Sequence, residues 1–308
     1  MRRLRPTPLL AAAACAIACA AAEEQSAPPR ASNEDGRLSV YVVSEPLRSF
    51  AQQIGGDRVE VVFPAPPDVD PAHWSPDAET LAAYQGADLL LANGAGYASW
   101  RERATLRRRG LVNTSSGFAD RLIEISGSPT HQHGPAGEHS HAETAFTTWL
   151  DPRLAAEQAR AVSAALERER PEYAEEFQAR LGSLEAELAA LDARLEQATA
   201  GIGAAPILFS HPVYAYFERR YALNGRSLHW EPDAHPDAAA WAELDALLEA
   251  HPARLILWEA EPLAQTRGEL AARGVRSVVF APGGNRAPDG ESWLERMNAN
   301  AARLEAVP

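Results

Sequence analysis

The sequence contains no lysine; all 29 basic residues are arginine, a genomic bias with no bearing on mechanism. Cysteine is nearly as scarce. Cys15 and Cys19 both fall in the first 22 residues, so the remainder of the chain has no pair from which to build a disulfide. Long apolar runs are missing too. Leu9–Ala22 is small and apolar but too short to span a bilayer. No His-Glu-x-x-His, nucleophile elbow or phosphate loop occurs, which removes the commonest signatures of hydrolases and nucleotide enzymes. Positive charge is in deficit. The formal charge is −13, and it falls to −16 without Arg2, Arg3 and Arg5, which argues against nucleic acid or an anionic membrane face as partner and suits a cationic ligand.

What is present begins with a secretory leader. Three arginines precede the apolar stretch and no acid occurs before Glu23, so residues 1–22 are expected to be a signal peptide. A cysteine after small residues is where bacterial lipoproteins are cut and acylated. Leu is not three residues upstream of either cysteine, Ala12 and Ala16 standing there instead. A lipid anchor is therefore expected alongside the alternative of plain cleavage near Ala20–Ala22. Residues 23–36 form a polar, proline-containing tether. With 46% hydrophobic and 23% charged residues, the rest is globular and long enough for two domains.

The organising stretch is 171–199. Phe177, Leu181, Leu184, Leu188, Leu191 and Leu195 recur at steps of four and three, which puts one apolar seam on a single helix face. The competing reading is a coiled-coil dimer strand, which usually sustains more heptads with e/g charge pairing. The preferred reading is a spine between two lobes, because strand–helix alternation lies on both sides of it. Strands are expected at Leu38–Val43, Val59–Phe63 and Asp88–Ala92, then at Pro206–Phe209, Leu255–Trp258 and Ser277–Phe280. The expected fold is α/β, with mainly parallel sheets in lobes 37–170 and 200–308, a long rigid bridging helix, and a ligand cleft between the lobes. Polar clusters fall at the carboxyl ends of strands, where open α/β sheets bind ligands.

Nine histidines are present and none is in the leader. His131, His133, His139 and His141 occupy a glycine-containing loop, 129–143, a compositional metal signal set against an ordinary solvated loop. His211 directly follows an expected strand, and Glu259 ends another. Glu231, Asp233 and His235 form a further cluster on a loop whose position the sequence leaves open. Ser210 beside His211 is no triad, since adjacent residues at a strand end point apart.

The segment SHPVYAYFERRYAL resembles the Ser-His-Asp-Ala-Phe-x-Tyr-Phe run of the zinc- and manganese-binding proteins of bacterial ABC importers. IGGDRVEV with PPDVDPAHWSPD, ADLLLANGAGYASW, WLDPRLAAEQARAVSAAL and WLERMNANAARL agree in order and spacing from Leu38 onward. The resemblance implies two α/β lobes on a long helix and a metal ion handed to a membrane permease. It implies ligands less well. Only His211 matches cleanly; Ala72, Thr147 and Ala281 stand at the other usual positions.

A site rebuilt from His73, His141, His211 and Glu259 is therefore expected. Zinc is the first candidate ion and manganese the second. The expected partner is an ABC permease, and the expected protein is a monomer touching the membrane only through a lipid anchor. Ligation by neutral histidine makes affinity fall as pH drops through about 6.5. Two other readings stand beside it: a lost site that binds a metal chelate or a protein partner, and a zinc hydrolase built on His73, His211 and Glu259.

Overall fold

The computed structural model describes residues 36–67, 69–125, 143–286 and 290–307. The leader, the tether up to residue 35 and the His-rich loop up to residue 142, His141 included, lie outside the described residues.

The first half is a parallel sheet in the order β2-β1-β3-β4, from Val59–Val62, Leu38–Val42, Leu89–Ala92 and Leu111–Asn113. Helix α1 (Glu45–Gly55) follows β1, and α2 (Ala78–Gly86) precedes β3 with Asp77 as its N-cap, accepting from the Thr80 amide. A short helix, α3 (Trp100–Arg103), and a two-stranded antiparallel pair, β5 (Glu124–Ile125) with β6 (Glu143–Thr144), complete this half.

Asp151 caps α4 (Pro152–Glu169), with Pro152 in its first turn. Pro171 stops that run with a short 3₁₀ turn, and α5 then extends unbroken over Ala174–Ala200. At about 1.5 Å per residue it is about 40 Å long. Its buried residues are the six of the seam plus Thr199. The seam packs against α4, α1 and the last helix of the same chain, so its apolar face is covered intramolecularly.

The second half repeats the theme with the order β10-β9-β7-β8: Arg276–Val279, Leu255–Trp258, Pro206–Phe209 and Asn224–Ser227, all parallel. Helices α6 (Ala215–Tyr221), α7 (Ala238–Ala250) and α8 (Ala264–Ala272) join these strands. The closing helix α9 (Trp293–Glu305) carries a full capping box between Ser292 and Glu295. It packs on α5 and α1 as well as β10, and Trp293 meets Phe50 edge to face at 5.2 Å between ring centroids. One continuous apolar core thus runs from β1 through α5 to Phe280 and Trp293.

The expected α/β architecture, two parallel sheets and a long helix, is what the chain adopts. Four strands were missed: β4, β8 and the two-residue pair β5 and β6. β4 is three residues long and follows an arginine run, while β8 reads Asn-Gly-Arg-Ser, a turn composition. Gly225 is required in β8 because a Cβ there would sit 2.1 Å from Phe209 Cε2.

Candidate metal centre

The carboxyl ends of three neighbouring strands, β8, β7 and β9, converge on one point. The central strand β7 ends in Ser210-His211. Beyond β8 the chain keeps following it: the Leu228 amide donates to the Phe209 carbonyl (2.8 Å) and the Trp230 amide to the Ser210 carbonyl (2.9 Å). That extension carries Glu231 alongside His211. On the other flank β9 runs out into Glu259, where the Ser210 amide donates to the Leu257 carbonyl (2.9 Å). His211 Nδ1 lies 3.8 Å from Glu231 Oε1 and 3.9 Å from Glu259 Oε1. One ligand-type atom from each of the three falls within 4.8 Å of the others. His211 Nδ1 is itself buried with no hydrogen-bond partner, and the His229 ring stands edge-on at 5.7 Å.

Electrostatics mark the same point. Burial, then the charges of Glu231 and Asp70, push the Glu259 carboxyl up to about 7. Negative charge is thus concentrated there without a compensating cation among the described neighbours that shift it. A divalent ion relieves that repulsion while replacing a proton on Glu259.

Asp70 comes from the first half of the chain. Its Oδ1 accepts from the Ala72 amide (2.9 Å) and its carbonyl from the His73 and Trp74 amides, forming a tight turn. His73 is on that turn but outside the group of three. Its ring is exposed, 3.9 Å from Asp70 Oδ2 and edge-on to Phe146 at 6.3 Å.

Residues 40–307 match the family described as zinc-uptake complex component A, periplasmic. The chain belongs to that family. It is 24% identical over 310 residues to a zinc-binding lipoprotein AdcA of Streptococcus pneumoniae, covering 96% of this chain and 60% of the relative. The chain thus spans little more than half of that relative's length. It is 27% identical to the high-affinity zinc uptake system protein ZnuA of Bacillus subtilis, over 88% of this chain and 86% of the relative. In three dimensions it superposes on the Zn(II)-bound ZnuA-like domain of the Streptococcus pneumoniae AdcA with a TM-score of 0.74. The sequence identity there is 20%, covering 88% of this chain and 98% of that one.

Ala72, Thr147 and Ala281, which stand where the resemblance implies ligands, are each held in place by hydrogen bonds around them. Ala72 is buried in the Asp70 turn. The Thr147 hydroxyl donates to the Val213 carbonyl, which fixes the segment before α4 against the turn after His211. The Ala281 peptide is bound from both sides by buried Asn300, through Ala281 N to Oδ1 (3.1 Å) and Nδ2 to the Ala281 carbonyl (2.8 Å). The following segment then fastens the two halves together. Trp149 Nε1 donates to the Pro282 carbonyl (2.8 Å), the Glu45 amide to the Gly284 carbonyl (3.0 Å), and Asn285 Nδ2 to the Pro66 and Val69 carbonyls (both 2.7 Å).

Of the four residues expected to bind metal, His211 and Glu259 are brought together, His73 lies apart on the Asp70 turn, and His141 is outside the described residues. Glu231 joins the group from the loop that the sequence left unplaced. Its neighbour His235 turns away to Glu269, 3.0 Å distant. Asp70 lies on the loop after β2, where polar residues were expected to gather, whereas His229 follows β8 and carried no signal.

Proposed function

We propose that this chain is the extracytoplasmic binding component of an ABC importer for a divalent transition metal, zinc first and manganese second. The observation that carries this is the convergence of His211, Glu231 and Glu259 at the ends of three adjacent strands. An imidazole nitrogen and two carboxylate oxygens are ordinary zinc donors, and zinc takes about four in all. In this reading His73, or His141 from the His-rich loop, completes the set, and residues 37–170 and 200–308 act as lobes on either side of α5. The names of the relatives support zinc as cargo and a membrane permease as recipient. They also support an extracytoplasmic location; no helix among the described residues is long and apolar enough to cross a membrane. Acylation at Cys15 or Cys19 belongs to the same proposal. An uptake component binds and releases its ion unchanged, so no catalytic role is assigned to these residues.

Zinc titration of the purified protein tests the reading, beside His211→Ala, Glu231→Gln and a deletion of residues 129–143. The expected result is tight one-to-one binding, lost in His211→Ala. Glu231→Gln should weaken it by at least the roughly 10–100-fold that outer-sphere changes cost. Loss on loop deletion as well would assign a ligand to the His-rich loop. Weak, multiple binding removed only by the loop deletion would overturn the cleft site in favour of a chelate or protein ligand.

A further inference from the structure

The protein is acidic overall, yet residues 101–109 (RERATLRRR) hold five arginines and one glutamate, a local charge of +4. Arg101 is half-buried, its guanidinium reaching the Tyr97 carbonyl at 3.5 Å. Arg103, Arg107, Arg108 and Arg109 are exposed. Arg107 donates one long hydrogen bond, 3.4 Å, to the Gln85 carbonyl. The side chains of Arg103, Arg108 and Arg109 have no hydrogen bond or ion pair among the described residues. Arg107 and Arg109 also flank a shallow groove with Tyr84, Gln85 and Leu106, and its lining contains no acid.

The position of this patch is fixed by the first sheet. The Leu111 amide donates to the Arg108 carbonyl (3.4 Å) at the start of β4. The Leu90 amide donates to the Gly110 carbonyl (2.8 Å), and the Asp88 amide to the Ser39 carbonyl (3.0 Å). These bonds align the amino ends of β4, β3 and β1. Gly36, at the start of the described chain, precedes β1 at that same end, two strand spacings or about 10 Å from β4. Thirty-five residues precede it, among them the leader and both cysteines. The metal group lies instead at carboxyl ends of strands.

We propose that this arginine face rests on the anionic phospholipid surface of the membrane across which the leader directs the chain. The inference relies on the extracytoplasmic reading above. Guanidinium forks pair with phosphate oxygens in bidentate fashion. Each basic residue near an anionic leaflet raises partitioning roughly fivefold. The rest of the molecule, strongly negative, is repelled by the same surface, so attraction is confined to the orientation with this face down. The contact thus orients the protein as well as holding it. The metal group, on the far side of the strands, stays free to load.

The test uses the protein from residue 23 onward, which contains neither Cys15 nor Cys19, so that no acyl chain contributes. Its co-sedimentation is measured with vesicles of phosphatidylcholine alone and of an equal mixture with phosphatidylglycerol. Arg107, Arg108 and Arg109→Gln is compared with a charge-matched control, Arg226, Arg254 and Arg276→Gln, which are exposed arginines of the second half. Binding is expected to the mixed vesicles only and to weaken in roughly 0.5 M salt. It should fall about a hundredfold in the patch variant and by severalfold at most in the control. Equal losses in the two variants, or equal binding to both vesicle types, would overturn the proposal. So would binding that requires native membranes and fails on lipid alone, which would assign the face to a protein partner. Zinc titration of the patch variant separates the two readings: unchanged affinity leaves the metal site intact whatever the vesicles show.

Discussion

Replacing Glu259 by Gln should stabilise the metal-free protein while destroying its grip on zinc. Glu259 is 26% exposed, and its carboxyl is pushed from an ordinary 4.5 to about 7 by burial, then Glu231, then Asp70. The unfolded chain loses this proton near 4.5, whereas the folded chain holds it to about 7. Stability contributed by the group is therefore full below the unfolded value and is lost as pH rises through the folded one. At about 1.4 kcal/mol per pKa unit, the loss approaches about 3 kcal/mol once the pH exceeds 7. Glutamine has the same shape and no charge to desolvate. At about pH 7.5 the metal-free Glu259→Gln protein should melt about 6–12 °C above the parent, given roughly 2–4 °C per kcal/mol for chains near this size. Near pH 4.5 the two should converge. Saturating zinc should reverse the order, since a ligand at about a thousand times its Kd adds about 4 kcal/mol to whichever protein binds it. Thermal melts at the two pH values, with and without zinc, read all of this directly. An apo variant no more stable than the parent at about pH 7.5, or an advantage that persists near pH 4.5, would refute the account.

Two further substitutions probe what holds the site in place. Gly225→Ala puts a methyl 2.1 Å from the Phe209 ring, which is fully buried and stacked on Tyr214, so about 1–3 kcal/mol of overpacking is expected in a melt. Because β8 leads to Glu231, zinc affinity should drop with it, whereas an unaffected affinity would mean that Glu231 is not positioned by this strand. Asp192→Asn breaks a junction of α4, α5 and α6, where the carboxylate accepts from Arg153 (3.0 Å), from Arg220 (2.7 and 2.6 Å) and from Tyr221 (3.1 Å). Burial pushes this carboxyl up, but the hydrogen bonds from Arg220 and Arg153 outweigh it and hold it below 3.8, so the contribution is present above that value and fades in acid. A loss of about 3 kcal/mol at neutral pH is expected from denaturant melts, shrinking below about pH 4.

The spine was legible because one rule governs it. Six apolar residues at helical spacing have a single face to cover, and the chain covers that face itself with α4, α1 and α9. Strands such as Leu89–Ala92 and Leu255–Trp258 were legible for a related reason: buried on both sides, they are apolar throughout. β8 escaped because it is an edge strand whose composition answers to a single neighbour. Its glycine is dictated by the Phe209 ring and its other residues face outward, so nothing in Asn-Gly-Arg-Ser records the pairing. The path of α9 escaped for another reason. A capping box and an amphipathic face announce a helix without saying which surface it meets.

The metal group shows how one missed strand propagates into chemistry. His211 and Glu259 each follow a recognisable strand, so their place at a sheet edge follows from sequence, and β7 and β9 are indeed neighbours. Glu231 lies four residues beyond the end of β8, and the bonds from Leu228 to Phe209 and from Trp230 to Ser210 carry it back to His211. Without β8 that loop has no anchor, and Glu231, Asp233 and His235 remain equivalent. With it, register divides them: Glu231 turns to His211, while His235 pairs with Glu269. The same logic accounts for the positions where ligands are missing. Thr147 is tied across the halves to the Val213 carbonyl and Ala281 is held within the second half by Asn300, so in the proposed site the donors come from the ends of β8, β7 and β9. A donor set drawn largely from one sheet depends less on the relative motion of the two halves than one divided between them. Small-angle scattering of apo and zinc-loaded protein should therefore differ little, and a large contraction on loading would show that the first half supplies more of the site than Asp70 and His73 suggest.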